Sequence, residues 1–277
     1  MRRQRVQSWI VGGLAILVSV VVFLVPFAFV VLQASKTATE ASDRAFTLPT
    51  DWQFVQNFVA VWQASDGLLL RAFINSAILT VASVAIMVVV AAMVGYVLQR
   101  KASRLGPVVE FFILAGLIVP PAVVPTIWML QGLGLFRTMP GMILIEATFG
   151  LSFSILLFRA FVGTIPRELD EAAIIDGAGP IRLFFSVIVP LLRPVMVTVI
   201  VVQAVAVFND FANPLYFLPG SENATVQTTL YQFQGQNVSY PNLLFMDMLL
   251  ITIPPLVAFI FFNRQIVAGL TSGAVKG

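Results

Sequence analysis

ELDEAAIIDGAGPIRLFFSVIVPLLRP, Glu168 to Pro194, sets an acid-rich opening against an apolar run closed by Pro190 and Pro194. Pro166, just upstream, fits the first turn of a helix. Glu168, Asp170 and Glu171 then fall where the helix dipole favours negative charge. Leu169, Ala172 and Ala173 are three and four residues apart, so they share a small apolar face bordered by acids. Asp176-Gly177 ends the helix, because glycine adopts the left-handed cap conformation without cost. A second helix, from about 180 to 189, returns Phe184, Phe185 and Ile188 toward apolar surroundings. The pattern predicts a short helix with a docking face, held out on a helical elbow.

The rest of the chain says what the elbow is attached to. Of 277 residues, 59% are hydrophobic and only 10% charged, and mean hydropathy is +0.95. Ordinary globular domains are about 25% charged, so this chain cannot cover itself in water. It reads as an all-α membrane protein forming one transmembrane domain over 1–277. With no cysteine and no histidine, it has no disulfides, no thiol nucleophile and no imidazole base or metal ligand. The net charge of +3 is explained by loop arginines and needs no nucleic acid.

A spanning helix takes about 20 mostly apolar residues. Six such stretches occur, at about 9–32, 69–98, 107–130, 141–161, 195–217 and 243–262. The first follows Arg2, Arg3 and Arg5, but it exceeds the h-region of a signal peptide and reads as a retained span. Six spans put both termini on one side. That side carries Arg2, Arg3, Arg5, Arg100, Lys101, Arg104, Arg159, Arg167, Arg182, Arg193, Arg264 and Lys276. The other carries Lys36, Arg44, Arg71 and Arg137. The bias makes the termini and the elbow cytoplasmic in a multi-pass protein.

Within the spans, Ala77, Thr80, Ala82, Ser83, Ala85, Ala91, Ala92 and Gly95 make the second helix narrow and suited to close packing. Pro120, Pro121 and Pro125 in the third span, and Pro254 and Pro255 in the sixth, predict kinks or breaks. Gln203, Asn209, Asp210 and Asn213 are expected on one broad polar face of the fifth span, lining a path for a polyhydroxylated ligand. A second reading stays open: Asp210 bonds a neighbouring helix or caps a break before Pro214. Glu146, Asp210 and Asp247 are also the carboxylates that an ion-coupled secondary transporter would need, which is the rival function class. Outside the spans, 33–68 holds Trp52 and Trp62 and predicts a short amphipathic stretch, and 219–242 is rich in amides.

Glu-Ala-Ala at 171–173, then three residues, then Gly177 and the apolar run to Pro190 resemble the EAA loop of ABC importer permeases. The long form over 164–193, with the terminal NRQIVAGLTSGAVKG at 263–277, is similar to the carbohydrate-uptake branch, which includes the smaller permease subunit of the maltose transporter. Gly179-Pro180 departs from the polar or aromatic residues common there. The resemblance implies the ABC type I importer fold and a non-catalytic subunit. Its partners would be a second permease subunit, two ATPase subunits, an extracytoplasmic solute-binding protein and a sugar-like substrate. It also implies that Glu168, Asp170, Glu171, Ala172, Ala173, Asp176 and Gly177 couple to an ATPase cleft. Ser272, Gly273, Lys276 and Gly277 would touch the ATPases, and Gln234, Gly235 and Gln236 the binding protein. No G-x-x-x-x-G-K-[ST] motif occurs, so ATP and Mg are expected on the partner subunits and no cofactor in this chain.

Overall fold

The computed structural model describes residues 12–234 and 240–274, with side chains as far as Phe262. The described residues form helices and turns without a β-strand. Helix α1 (Gly12–Ala34) is followed by α2 (Ala38–Ser42) and α3 (Phe54–Gln63), and then by the long α4 (Leu68–Arg100). Next come α5 (Gly106–Ile118), α6 (Val123–Gly132) and α7 (Met139–Val162). The elbow comprises α8 (Glu168–Ile175) and α9 (Pro180–Leu191), leading into α10 (Arg193–Phe208), α11 (Ala212–Phe217) and α12 (Pro241–Ala274).

Four of these are long and apolar enough to cross a membrane alone: α1, α4, α7 and the Pro241–Phe262 part of α12. Two further spans arise if each of two bent pairs counts as one. In the first pair, α5 and α6 meet at 119°. Pro120 and Pro121 sit in the break, where each removes a backbone donor and forces the preceding residue out of the helical region. Val119 accordingly has ψ of 124°. Pro125 lies in the first turn of α6, where a missing N–H costs nothing. In the second pair, α9 and α10 meet at 76° around Leu192, with Pro190 and Pro194 on either side. Pro254 and Pro255, by contrast, lie within one continuous helix.

The chain divides into two compact units, residues 1–70 with 228–253, and residues 71–227 with 254–277. The first is tied by polar side chains. Gln33 Nε2 and Lys36 Nζ both donate to the carbonyl of Ala45, each at 2.8 Å. Lys36 is 1% exposed, and Thr47 Oγ1 accepts a second bond from it at 3.0 Å. Asn57 Nδ2 bonds the carbonyls of Ala34 and Lys36, and its Oδ1 accepts from Asn242 Nδ2 at 2.8 Å. Thr229 donates to the buried Asp247 at 2.8 Å.

The second unit has an apolar core built from α4, α7, α9 and α10, including Met87, Ala91, Phe158, Val162, Ile188, Leu192 and Val199. Of the small residues in α4, Ser83, Ala91, Ala92 and Gly95 are buried, whereas Ala77 and Ala85 are exposed. The close approach centres on Gly95. A Cβ there would stand 2.9 Å from the backbone nitrogen of Arg159 and 2.9 Å from Phe158 Cβ. Arg159 also pairs with Glu110 of α5 at 2.7 Å.

Candidate coupling elbow and polar cluster

Helix α8 starts two residues later than a helix with Pro166 as its first residue. Arg167 is its N-cap and Pro166 precedes it, so the proline orients the entry rather than occupying the first turn. The three acids are in the first turn. At the other end Gly177 has φ of +81°. Its N–H bonds the carbonyl of Ile174, and that of Ala178 bonds Ala173, both at 3.0 Å. These paired bonds complete a Schellman-type stop, which only a residue at ease with positive φ makes without strain.

The face of α8 differs from expectation in two places. Leu169 and Ala172 are exposed, as are Ile174 and Ile175, while Ala173 packs toward the core. Asp170 also turns inward and is 8% exposed. Its Oδ2 lies 2.7 Å from Arg100 Nε, at the end of α4, and 3.5 Å from the Tyr96 hydroxyl. That Nε–H is not aligned as a hydrogen bond, and Asp170 Oδ1 is buried without one. Attraction between the charges therefore outweighs hydrogen-bond geometry in this contact. Arg100 Nη2 donates to the carbonyl of Ile165 at 2.9 Å, fixing the residue where the chain leaves α7. Glu168, Glu171 and Asp176 remain exposed. Arg100 and Tyr96 join the site only through tertiary packing; in the sequence Arg100 reads as one more basic residue near a span end.

The four polar residues of the fifth span do not share one face. Gln203 is buried and donates from Nε2 to the carbonyl of Gly150 and to Ser154 Oγ, both at 3.1 Å. It binds α10 to α7. Helix α10 ends at Phe208, so residues 209–213 do not continue its periodicity. Asn209 is exposed and accepts from Gln227 Nε2 at 3.2 Å. Asp210 takes the capping alternative: Oδ1 accepts from the backbone N–H groups of Ala212 at 2.9 Å and Asn213 at 3.2 Å. Its Oδ2 accepts from Asn213 Nδ2. Glu146 of α7, 6% exposed, lies beside Asp210 and Asn213. The spacing of Glu146 and Asp210 gives no hint of this, since 64 residues separate them and only tertiary packing joins them.

An apolar cavity of about 400 Å³ lies beside α10 and is lined by Ile200, Ala204, Phe208, Pro254 and Pro255 among others. Thr80 supplies the one hydroxyl among its lining side chains, so it does not suit a polyhydroxylated ligand. Gln234 is exposed. Gly235 and Gln236, like Lys276 and Gly277, lie outside the described residues. Ser272 and Gly273 belong to the continuous helix α12. Upstream of Gln234, the loop is strapped to α4: Asn75 Nδ2 bonds the carbonyls of Glu222 and Ala224, and Ser76 Oγ accepts from the N–H of Val226.

Broken spans around a helical elbow with a glycine stop fit the transmembrane subunit of an ABC importer, the class whose EAA loop the sequence resembles. The fold agrees with a solved bacterial ABC transporter "involved in the import of the acidic polysaccharide alginate": TM-score 0.82 at 19% identity, over 95% of this chain and 98% of that one. The chain belongs to the family of binding-protein-dependent transport system inner membrane components, whose pattern matches residues 87–271. It is 30% identical to the melibiose/raffinose/stachyose import permease protein MelC of Bacillus subtilis, over 100% of both chains. It is 31% identical to the diacetylchitobiose uptake system permease protein NgcG of Streptomyces coelicolor, over 95% of this chain and 87% of that one.

Proposed function

We propose that this permease subunit carries a saccharide or saccharide-derived solute inward, with transport driven by ATP hydrolysis on separate subunits. The observation that carries the reading is the elbow. Its exposed face of Leu169, Ala172 and Ile175 is small and apolar, and the Arg100–Asp170 contact ties it to a long spanning helix. A push on that face reaches α4 through a buried ion pair rather than through a flexible linker. The saccharide class is supported by the sugar-import names of relatives aligned along nearly the whole chain.

In this reading a second permease subunit completes the path and two ATPase subunits, which hold ATP and Mg, receive the elbows. An extracytoplasmic binding protein delivers the solute. The termini face the cytoplasm, because twelve of the sixteen basic residues fall on their side. Exposed Glu168, Glu171 and Asp176 rim the docking face, and Asp170 holds it from behind. The tail at Ser272, Gly273, Lys276 and Gly277 reaches the ATPases, and Gln234–Gln236 meets the binding protein. Asp210 and Asn213, with Glu146 beside them, mark the polar part of the path, while Gln203 secures the helices around it.

The test is Ala172→Trp in the assembled transporter. An indole on this face blocks docking without touching the core, so solute-stimulated ATPase activity and uptake fall together while the chain remains in the membrane. Normal values for both would remove the elbow from the mechanism. Competition for uptake by a panel of oligosaccharides tests the substrate class separately.

A further inference from the structure

Helix α3, in the segment between α1 and α4, is built inside out for water. Its buried side carries Asn57, which donates to the carbonyls of Ala34 and Lys36 and accepts from Asn242. Its exposed side carries Val55, Phe58, Val59 and Trp62, at the i, i+3, i+4, i+7 spacing of one helical stripe. Val55 is 68% exposed and the other three between 37% and 41%. Phe58 and Trp62 stack with ring centroids 6.1 Å apart. A third stripe, of Gln56, Ala60 and Gln63, is also exposed and follows i, i+4, i+7. The helix therefore has a protein side, an apolar side and a polar side, and none of its ten residues is charged.

We propose that α3 lies in the plane of the membrane surface, with the Val55–Trp62 stripe sunk among lipid acyl chains and the Gln56–Gln63 stripe facing water. Three observations favour lipid over another protein. First, depth is fixed at both ends. The N–H of Gln53, the residue before α3, bonds the carbonyl of Ser35 at 2.8 Å, directly after the end of α1. At the other end, Ser65, Asp66 and Gly67 all have positive φ, so the chain reverses at once and α4 begins at Leu68. Both junctions lie at the ends of candidate spanning helices, α1 and α4. Second, the neighbouring apolar side chains are exposed on the same segment: Phe46 at 56%, Leu48 at 72% and Trp52 at 58%. They continue the exposed apolar surface of α1, whose spanning window is 0% buried, with Phe46 stacked on Phe29 of that helix at 6.0 Å. Third, a boundary between oil and water supplies an apolar and a polar environment along one helix, and Trp is favoured at that boundary. With no basic residue on α3, its insertion does not depend on anionic lipid.

The natural absence of cysteine makes the test direct. Val59→Cys and Gln56→Cys are each labelled with a nitroxide in the transporter assembled with its partner subunits, in nanodiscs of phosphatidylcholine. Power-saturation EPR then compares collisions with oxygen, which concentrates in lipid, and with a water-soluble nickel chelate. Oxygen is expected to dominate at Val59 and nickel at Gln56, with no change when phosphatidylglycerol is added. Nickel reaching both sites equally would place the stripe in water. Neither reagent reaching Val59 would place it against a protein subunit. Either result overturns the proposal. Should the labels disturb the fold, Trp62 reports without any new side chain on α3. With Trp9, Trp52 and Trp128 replaced by Phe, its fluorescence should be quenched by lipids brominated on the acyl chain and not by iodide. The reverse pattern, or quenching by neither, refutes the placement.

Discussion

Replacing Arg100 by Met removes the charge that faces Asp170 and leaves most of the side-chain volume. The Asp170 and Arg100 side chains are 12% and 10% exposed, so screening by water is small. Breaking a buried pair from one side costs about 3–5 kcal/mol, against about 1 kcal/mol or less for a pair in solvent. The unaligned Nε–H and the unbonded Asp170 Oδ1 put this contact at the lower end, about 3 kcal/mol. The loss of Nη2 from the carbonyl of Ile165 acts in the same direction. Helix α8 has only eight residues and little else to hold it, so the cost appears as local opening. At about 1.4 kcal/mol per tenfold, amide exchange over Leu169–Ile175 should quicken by about 100-fold, with the exchange of α4 and α7 unchanged. The double variant Arg100→Met, Asp170→Leu removes the stranded charge and should recover much of the protection. Hydrogen exchange read by mass spectrometry, with solute-stimulated ATPase activity and uptake measured on the same samples, decides the matter. Unchanged exchange in the single variant, or a double variant no better than the single, would refute the reasoning that this pair holds the elbow.

At Gly177 nothing lies within 4 Å of an added Cβ, so the cost of Gly177→Ala comes from φ alone and is about 1 kcal/mol. Gly177→Asn should cost less and Gly177→Val more, an order to be read as residual coupled uptake. At Gly95 the obstacle is backbone. Gly95→Val should separate α4 from α7 and lower the thermal midpoint of the detergent-solubilised chain, whereas Gly179→Val, with no atom nearby, should leave it unchanged. Asp210→Asn keeps an acceptor for the N–H groups of Ala212 and Asn213 and should retain assembly. Asp210→Leu loses the cap, at about 1 kcal/mol; full uptake by the Leu variant would remove Asp210 from the mechanism. Gln203→Leu removes the two bonds that Nε2 donates to the Gly150 carbonyl and to Ser154 Oγ, leaving Ser154 only its own bond to the Gly150 carbonyl, and should destabilise the α7–α10 contact with little effect on apparent solute affinity, as substrate-dependence of uptake will show.

The helical membrane class, the breaks and the elbow were legible in the sequence because each rests on local physics, whereas of the six expected spans four stand as single helices and two only as bent pairs. Hydrophobic length, the missing N–H of proline and the tolerance of glycine for positive φ act within a few residues of where they are written. Pro120-Pro121 predicts its break and Gly177 its stop without reference to the rest of the fold. The partners of the polar side chains were not legible. Asp170 belongs by spacing to the acidic border of α8, yet Arg100, seventy residues earlier, draws it inward, because an unpaired charge beside apolar packing is more costly than an exposed one. Gln203 and Asp210 are seven apart and share a face only if the helix continues. The helix stops at Phe208, and the Asp210 carboxylate serves the freed N–H groups of the next turn. Glu146 joins that cluster across 64 residues. Helix α3 shows the same division: its stripes can be counted in the sequence, but which stripe turns inward depended on Asn57 finding the carbonyls at the end of α1. Side-chain periodicity is set along the chain, whereas the pairing of buried polar groups is set by which helices meet.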